Sequence, residues 1–342
     1  MNSERRALLF GALLLTVSPW IQGCGATPPP QPKVQPLPPL KSAPLAELIA
    51  SASLKWALLV APRDLYNVPW IPPLVDLAVS GARFDRFAST TGIDLRTVPE
   101  AVITASASDK DQAGDVFFYL ARHKGDASLI ERAFRARLSS NEKRSVDRPD
   151  LVRVSGKIGL VPNAAVLIGP DVAGFQEGGS SSRGPSRIAG LFAEGKLKSV
   201  HTLFASPHLR SLAAALGAAP LSAFAPGPFE GDLARGLRGL LGAATAVGAV
   251  VRPTERRGLA VTLAVGGDFS TSAGAAAAEL TAAWNELAQS RLGHLLTLDA
   301  PLAPASVTAT AEMLFLTVEL SGQGVADGLS RATATKVSDI FK

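Results

Sequence analysis

Four segments of the chain recur in the same order further along. Internal duplication constrains a fold more than any single motif, because each copy must bury its apolar faces in the same way. Trp56-Ala57-Leu58-Leu59-Val60-Ala61-Pro62 is echoed by His201-Thr202-Leu203-Phe204-Ala205-Ser206-Pro207, with the prolines 145 positions apart. Residues 115–120 are echoed by 258–263 at an offset of 143, Gly125-Asp126 by Gly267-Asp268 at 142, and residues 163–168 by 312–317 at 149. The local patterns fit the repeat. Leu259, Val261, Leu263 and Val265 alternate with Ala260, Thr262 and Ala264, and Leu314, Leu316, Val318 and Leu320 alternate in the same way, which is the period of a strand with one packed face.

Between those strands, residues 272–290 read as a helix with Leu280, Trp284 and Leu287 on one face, capped by Asp268 or Ser270. In the first half Ser128 and Glu131 have capping-box spacing, and Ile130, Phe134 and Leu138 line the face behind them. Each half therefore reads as strand, helical segment, strand, strand, helix and two strands. The expected class is α+β, with two similar halves, each a mainly antiparallel sheet with helices packed on one face. Residues 45–192 form the first repeat and 193–342 the second. Residues 176–187, rich in Gly and Ser, read as a flexible linker, and 218–231, with Pro220, Pro226 and Pro228, as a loop. The apolar share of 47% is enough for real cores, and the composition excludes collagen-like, disordered and disulfide-stapled chains. The single cysteine closes no intrachain disulfide, so packing alone must hold the fold.

The N-terminus reads as an address. Arg5 and Arg6 precede an apolar stretch of 15 residues, 7–21, too short to span a bilayer, which takes roughly 20. Ile21-Gln22-Gly23-Cys24 then resembles the lipobox of bacterial lipoproteins, with Gln22 departing from the usual small residue. The resemblance implies a signal peptide over 1–23, cleavage before Cys24, and a diacylglyceryl group on the Cys24 thiol, with more than one acyl chain giving a stable membrane anchor. Gly25 in place of an Asp implies an outer-membrane destination, facing periplasm or surface. Residues 24–44 then form a linker. Eight prolines lie between 25 and 44, and such a run favours polyproline II at about 3.1 Å per residue, a spacer of roughly 60 Å. The resemblance does not extend beyond this signal, and the body resembles no family.

The remaining motifs are sparse. His123, His201, His208 and His294 lie in no metal-binding pair, and no other Cys is present, so neither a metal nor a cofactor is expected. No Gly-x-Ser-x-Gly or P-loop occurs, and Ser180–Ser182 fall in the expected linker. Gly322-Gln323-Gly324 opens like a dinucleotide fingerprint but meets Asp327 where the third glycine belongs, and reads as a turn and helix start. Asp109 with Asp111, and Asp171 with Glu177, are carboxylate pairs on loops. Arg132, Arg135 and Arg137 read as a solvated helix face, Arg256-Arg257 as a hairpin turn, and Gly92 as the end of a helix. A net charge of +5, spread along the chain, does not point to nucleic acid. The expected function is a lipid-anchored cell-envelope binding or scaffold module, not an enzyme, with no catalytic residue assigned. Its partners are the membrane, through the N-terminal lipid, and other envelope proteins or an apolar ligand. The alternative is a periplasmic or surface hydrolase whose Ser, His201 or His208, and carboxylate meet only in the fold.

Overall fold

The computed structural model describes residues 37–42, 44–108 and 114–334. Twelve strands form: β1 (Leu54–Val60), β2 (Ala101–Ala107), β3 (Asp115–Arg122), β4 (Ser140–Arg148), β5 (Leu151–Ile158), β6 (Val161–Ile168), β7 (Val172–Glu177), β8 (Leu221–Pro226), β9 (Ala244–Pro253), β10 (Gly258–Gly267), β11 (Ala303–Ala309) and β12 (Met313–Ser321). The alternating leucines and valines of β10 and β12 stand directly opposite one another, Leu259 against Leu320 and Val265 against Leu314, so each pair shares one face and packs as a unit. All twelve strands belong to one sheet, in the order β11-β12-β10-β9-β8-β1-β2-β3-β7-β6-β5-β4, and every neighbouring pair is antiparallel.

The helices are α1 (Pro62–Tyr66), α2 (Ile71–Ala78), α3 (Gly81–Thr91), α4 (Ala127–Arg135), α5 (Pro185–Ala193), α6 (Pro207–Leu216), α7 (Leu240–Ala243), α8 (Ala273–Ala288), α9 (Arg291–Leu295) and α10 (Gly322–Ala334). One sheet face carries the largest core. There Phe192 of α5, Leu209, Leu212 and Leu216 of α6, and Leu45 and Leu48 of a 3-10 turn pack on Val102, Phe118, Leu120, Val166, Phe224 and Val250. On the opposite face α4 sets Ile130 and Phe134 over Leu167, Ala173, Ala165 and Val154 at one end of the sheet. At the other end α8 sets Ala276 and Leu280 over Val265, Leu314, Leu316 and Val318.

The α+β class and the antiparallel pairing are as expected, but several finer expectations are corrected. There is one continuous sheet, joined through β1 and β8, and helices cover both faces. Residues 201–206 are not a strand. They make a single bridge from Thr202 to Ala50 and a 3-10 turn, and Pro207 opens α6, where a proline lacks nothing the first helical turn needs. The expected loop over 218–231 instead contains β8, a central strand. Its prolines fall just before and at the end of the strand, where a missing N–H is tolerated. Four strands follow α4, not two, and residues 163–168 lie in β6, two places from β3, whereas 313–317 lie in β12 directly beside β10.

Helix ends also differ from the sequence pattern. Asp126, not Ser128, caps α4, accepting from Ser128 N at 2.8 Å, while Glu131 turns to Arg144. Asp268 bonds Ser270 upstream of α8, and the residue before the helix, Ser272, makes no side-chain cap. Leu287 is 40% exposed, because the buried stripe of α8 runs through Ala276, Leu280 and Ala283 and so leaves that leucine outside. Residues 176–187 are tied down: Gln176 is buried and its carboxamide joins Gly178, Ser180 and Ser186.

Candidate functional site

Apolar side chains on the face that α4 and α8 share continue past both helices. Across the centre the register sets Leu58 beside Ile103, Ile103 beside Tyr119, and Tyr119 beside Phe175. In the other direction Leu58 faces Ala223, Ala223 faces Ala249, and Ala249 faces Leu263. One row further along, Trp56 faces Ala105 and Ala105 faces Phe117; the two rings, with centroids 6.3 Å apart, close over the alanine between them. Phe175 packs under Phe134 of α4. At the other side Val247, Val261 and Leu263 pack with Leu240, Leu241 and α8. Between these covered flanks the floor of β8, β1, β2 and β3 is open, with Trp56 37% and Tyr119 39% exposed.

A bulge in β1 creates this arrangement. The register slips between Leu54 and Trp56, so Leu54 enters the large core while Trp56 points to the other face, although both sit at even positions of one alternating run. The trough floor between the larger side chains is alanine, Ala223 on β8 and Ala249 on β9, while Ala105 on β2 is buried beneath the Trp56 and Phe117 rings. Tyr119 supplies a polar handle. Burial and the nearby Glu177 charge hold its phenol above the ordinary value, so it stays protonated and keeps its donor hydrogen.

The residues singled out in the sequence do not converge here. Cys24 and residues 1–23 lie outside the described residues, as do Asp109 and Asp111. Asp171 precedes β7 and Glu177 ends it, so the pair is separated by the whole strand, and Asp171 instead pairs with Arg122. His201 and His208 are exposed, and among the described residues no hydrogen bond joins either ring to a serine hydroxyl or a carboxylate. His294 is the histidine that meets an acid, Asp299, at 2.8 Å, on an exposed surface. Ser180 and Ser182 bond each other in the loop anchored by Gln176. Among the described residues no group of three metal-ligating side chains is present, and no helix is long and apolar enough to cross a membrane.

The glycine motif has a packing explanation. A Cβ at Gly324 would collide with Thr297, and one at Gly328 with the Leu295 carbonyl, so both glycines let α10 lie against the turn after α9. Arg257, at φ +58°, occupies the β9–β10 turn, and Gly92, at φ +75°, ends α3, both as expected.

One charged cluster went unanticipated. Arg122, at the end of β3, reaches Asp171, Glu100 and the Ser42 carbonyl, and Glu100 accepts from Leu45 N at 2.9 Å. These bonds fasten the chain where it enters the sheet. Beside them His123 is 4% exposed, and among the described residues neither ring nitrogen has a hydrogen-bond partner. Burial lowers its pKa, against the opposing pull of the Gly125 backbone and the Asp171 charge. The chain matches no protein-family model, no curated protein and no solved structure.

Proposed function

We propose that this chain is a lipid-anchored cell-envelope module that carries an apolar small molecule on its open sheet face. The observation that carries this reading is the uncovered floor of β8, β1, β2 and β3, where aromatic and aliphatic side chains face solvent around alanines. Its size favours a small ligand. Four strands at about 4.8 Å spacing and three rows of side chains make a patch of roughly 14 by 13 Å. That is on the order of 180 Å², far below the ~800 Å² per partner of a stable protein interface. An acyl chain or a ring system fits that area, with the Tyr119 hydroxyl to orient a polar end.

The lipobox resemblance at Ile21-Gln22-Gly23-Cys24 supports the anchor, Gly25 in place of an Asp supports an outer-membrane station, and the prolines of 25–44 support a spacer. Two similar halves are part of the same proposal. Outward from the β1–β8 pair the order runs β1-β2-β3-β7-β6 on one side and β8-β9-β10-β12-β11 on the other, with β5 and β4 added at one edge. A helix follows β3 and another follows β10, so the open floor lies where the two halves meet. Crevices between units are favoured ligand sites.

The test is solvent extraction of the full chain purified from its own membranes, beside the variant Ala223→Trp, which fills the trough. An apolar species recovered near one per chain from the parent and lost from the variant is expected. None from the parent, or equal amounts from both, rejects the carrier reading. Cell fractionation tests the anchor separately: Cys24→Ser moves the protein to the soluble fraction, and a variant that stays with membranes contradicts the lipid.

A further inference from the structure

On the opposite side of the sheet, a cleft of about 590 Å³ opens between the 3-10 turn Leu45–Leu48, the end of α5 and the start of α6. Three cations line it, Lys41, Lys198 and Arg210, against one carboxylate, Glu47, a net lining charge of +2. Several arginines elsewhere on the molecule are engaged by acids, among them Arg96, Arg122, Arg144, Arg153 and Arg238. Lys41 and Lys198 have no ion-pair partner among the described residues. Glu194, just after α5, is held by Lys196 at 2.6 Å.

Arg210 is held in place. Its Nε donates to the Phe204 carbonyl at 3.1 Å and an Nη to the Ala205 carbonyl at 3.2 Å. A guanidinium has five N–H donors, so others remain for a ligand without further ordering of the side chain. The cleft also has apolar walls, from Phe192, Val200 and Phe204. Lys41 is fixed at its mouth by the backbone bond from Lys41 N to the Ala193 carbonyl at 2.8 Å.

We propose that this cleft binds a phosphate ester of an apolar alcohol, the phosphate between Lys41, Lys198 and Arg210 and the apolar part against Phe192, Val200 and Phe204. A tethered guanidinium flanked by two lysines suits a phosphate, whose charge-assisted hydrogen bonds are about twice as strong as neutral ones. The apolar walls separate such a ligand from a free ion. The site lies across the sheet from the open floor and stands whether or not that floor carries a ligand.

Calorimetric titration of the full chain in a neutral detergent tests it, using dihexanoylphosphatidic acid, dihexanoylphosphatidylcholine and inorganic phosphate as probes. The expected result is saturable binding of the phosphatidic acid, about tenfold or more tighter than the zwitterionic lipid and about a hundredfold tighter than inorganic phosphate. The double variant Lys41→Gln/Lys198→Gln changes two exposed side chains, keeps the parent's thermal midpoint, and loses about tenfold in affinity. Equal binding of the zwitterionic lipid overturns the charge argument. Equal binding of inorganic phosphate overturns the amphiphile and assigns the cleft to a free anion. An unchanged affinity in the double variant overturns the site.

Discussion

Replacing Gln176 by leucine tests whether the Gly- and Ser-rich segment is held by one buried carboxamide. Gln176 is 2% exposed on β7. Its Oε1 accepts from Ser186 N at 3.1 Å and from Ser186 Oγ at 2.7 Å, and its Nε2 donates to the Gly178 carbonyl at 2.9 Å and the Ser180 carbonyl at 3.3 Å. The Ser186 amide belongs to the first turn of α5, whose N-cap, Gly184, offers no side chain. The glutamine therefore caps that helix from a neighbouring strand. Leucine keeps the volume and removes every bond. The buried Ser186 amide, left without an acceptor, costs about 1–3 kcal/mol, and the lost loop bonds bring the total to about 2–4 kcal/mol. For a body of this size, that lowers the thermal midpoint by about 3–6 °C.

The assay is thermal unfolding with limited trypsin digestion. Cleavage after Arg183, inside the tethered loop, should accelerate along with the loss of stability. A Cβ at Gly184 would land on the same carboxamide. Gly184→Ala should therefore give a similar loss, and the double variant should lose less than the two losses added. A Gln176→Leu protein within about 0.5 kcal/mol of the parent, with unchanged cleavage at Arg183, would refute the reasoning.

Two further outcomes follow from the packing and charge. Phe118 is fully buried in the large core on the face of the sheet that α5 and α6 cover, so Phe118→Ala should cost about 3–5 kcal/mol in denaturant unfolding, more than any truncation on the open face. His123 is buried neutral, with its pKa below the unfolded value. Protonation therefore favours the unfolded chain, and the stability present above about pH 6.5 declines as pH falls below it, by at most about 1.4 kcal/mol per pH unit for one proton. Unfolding midpoints from pH 7 to 5 should fall for the parent and fall less steeply for His123→Leu. Parallel slopes would place the titration elsewhere.

Much of the sheet was legible because alternation is a local signal. β10 and β12 follow directly from their leucines and valines, and the helix after each Gly-Asp pair lies where the pattern puts it. What failed was long-range. β8 is six residues of modest hydrophobicity between prolines, and only its neighbours β1 and β9 make it a central strand. With that strand read as a loop, the Trp56, Leu58 and Val60 run has no partner on its second edge, and the open floor does not emerge. The bulge that turns Trp56 outward is marked in sequence only by Lys55 interrupting the run, and in backbone by Ser53 at φ +60°. The glutamine cap of α5 joins residues ten apart through a tertiary bond that no helix-start rule contains.

Site-specific photocrosslinking reads the open face directly. Tyr119→p-benzoylphenylalanine places the probe on the half-exposed floor, and Leu160→p-benzoylphenylalanine places it on a fully solvated turn, 91% exposed, as the control. Illumination of intact envelopes followed by intact-mass measurement should show an adduct of one apolar small molecule at position 119 and none at 160. No adduct at 119, or the same adducts at both positions, would contradict the claim that this face of the sheet carries a ligand.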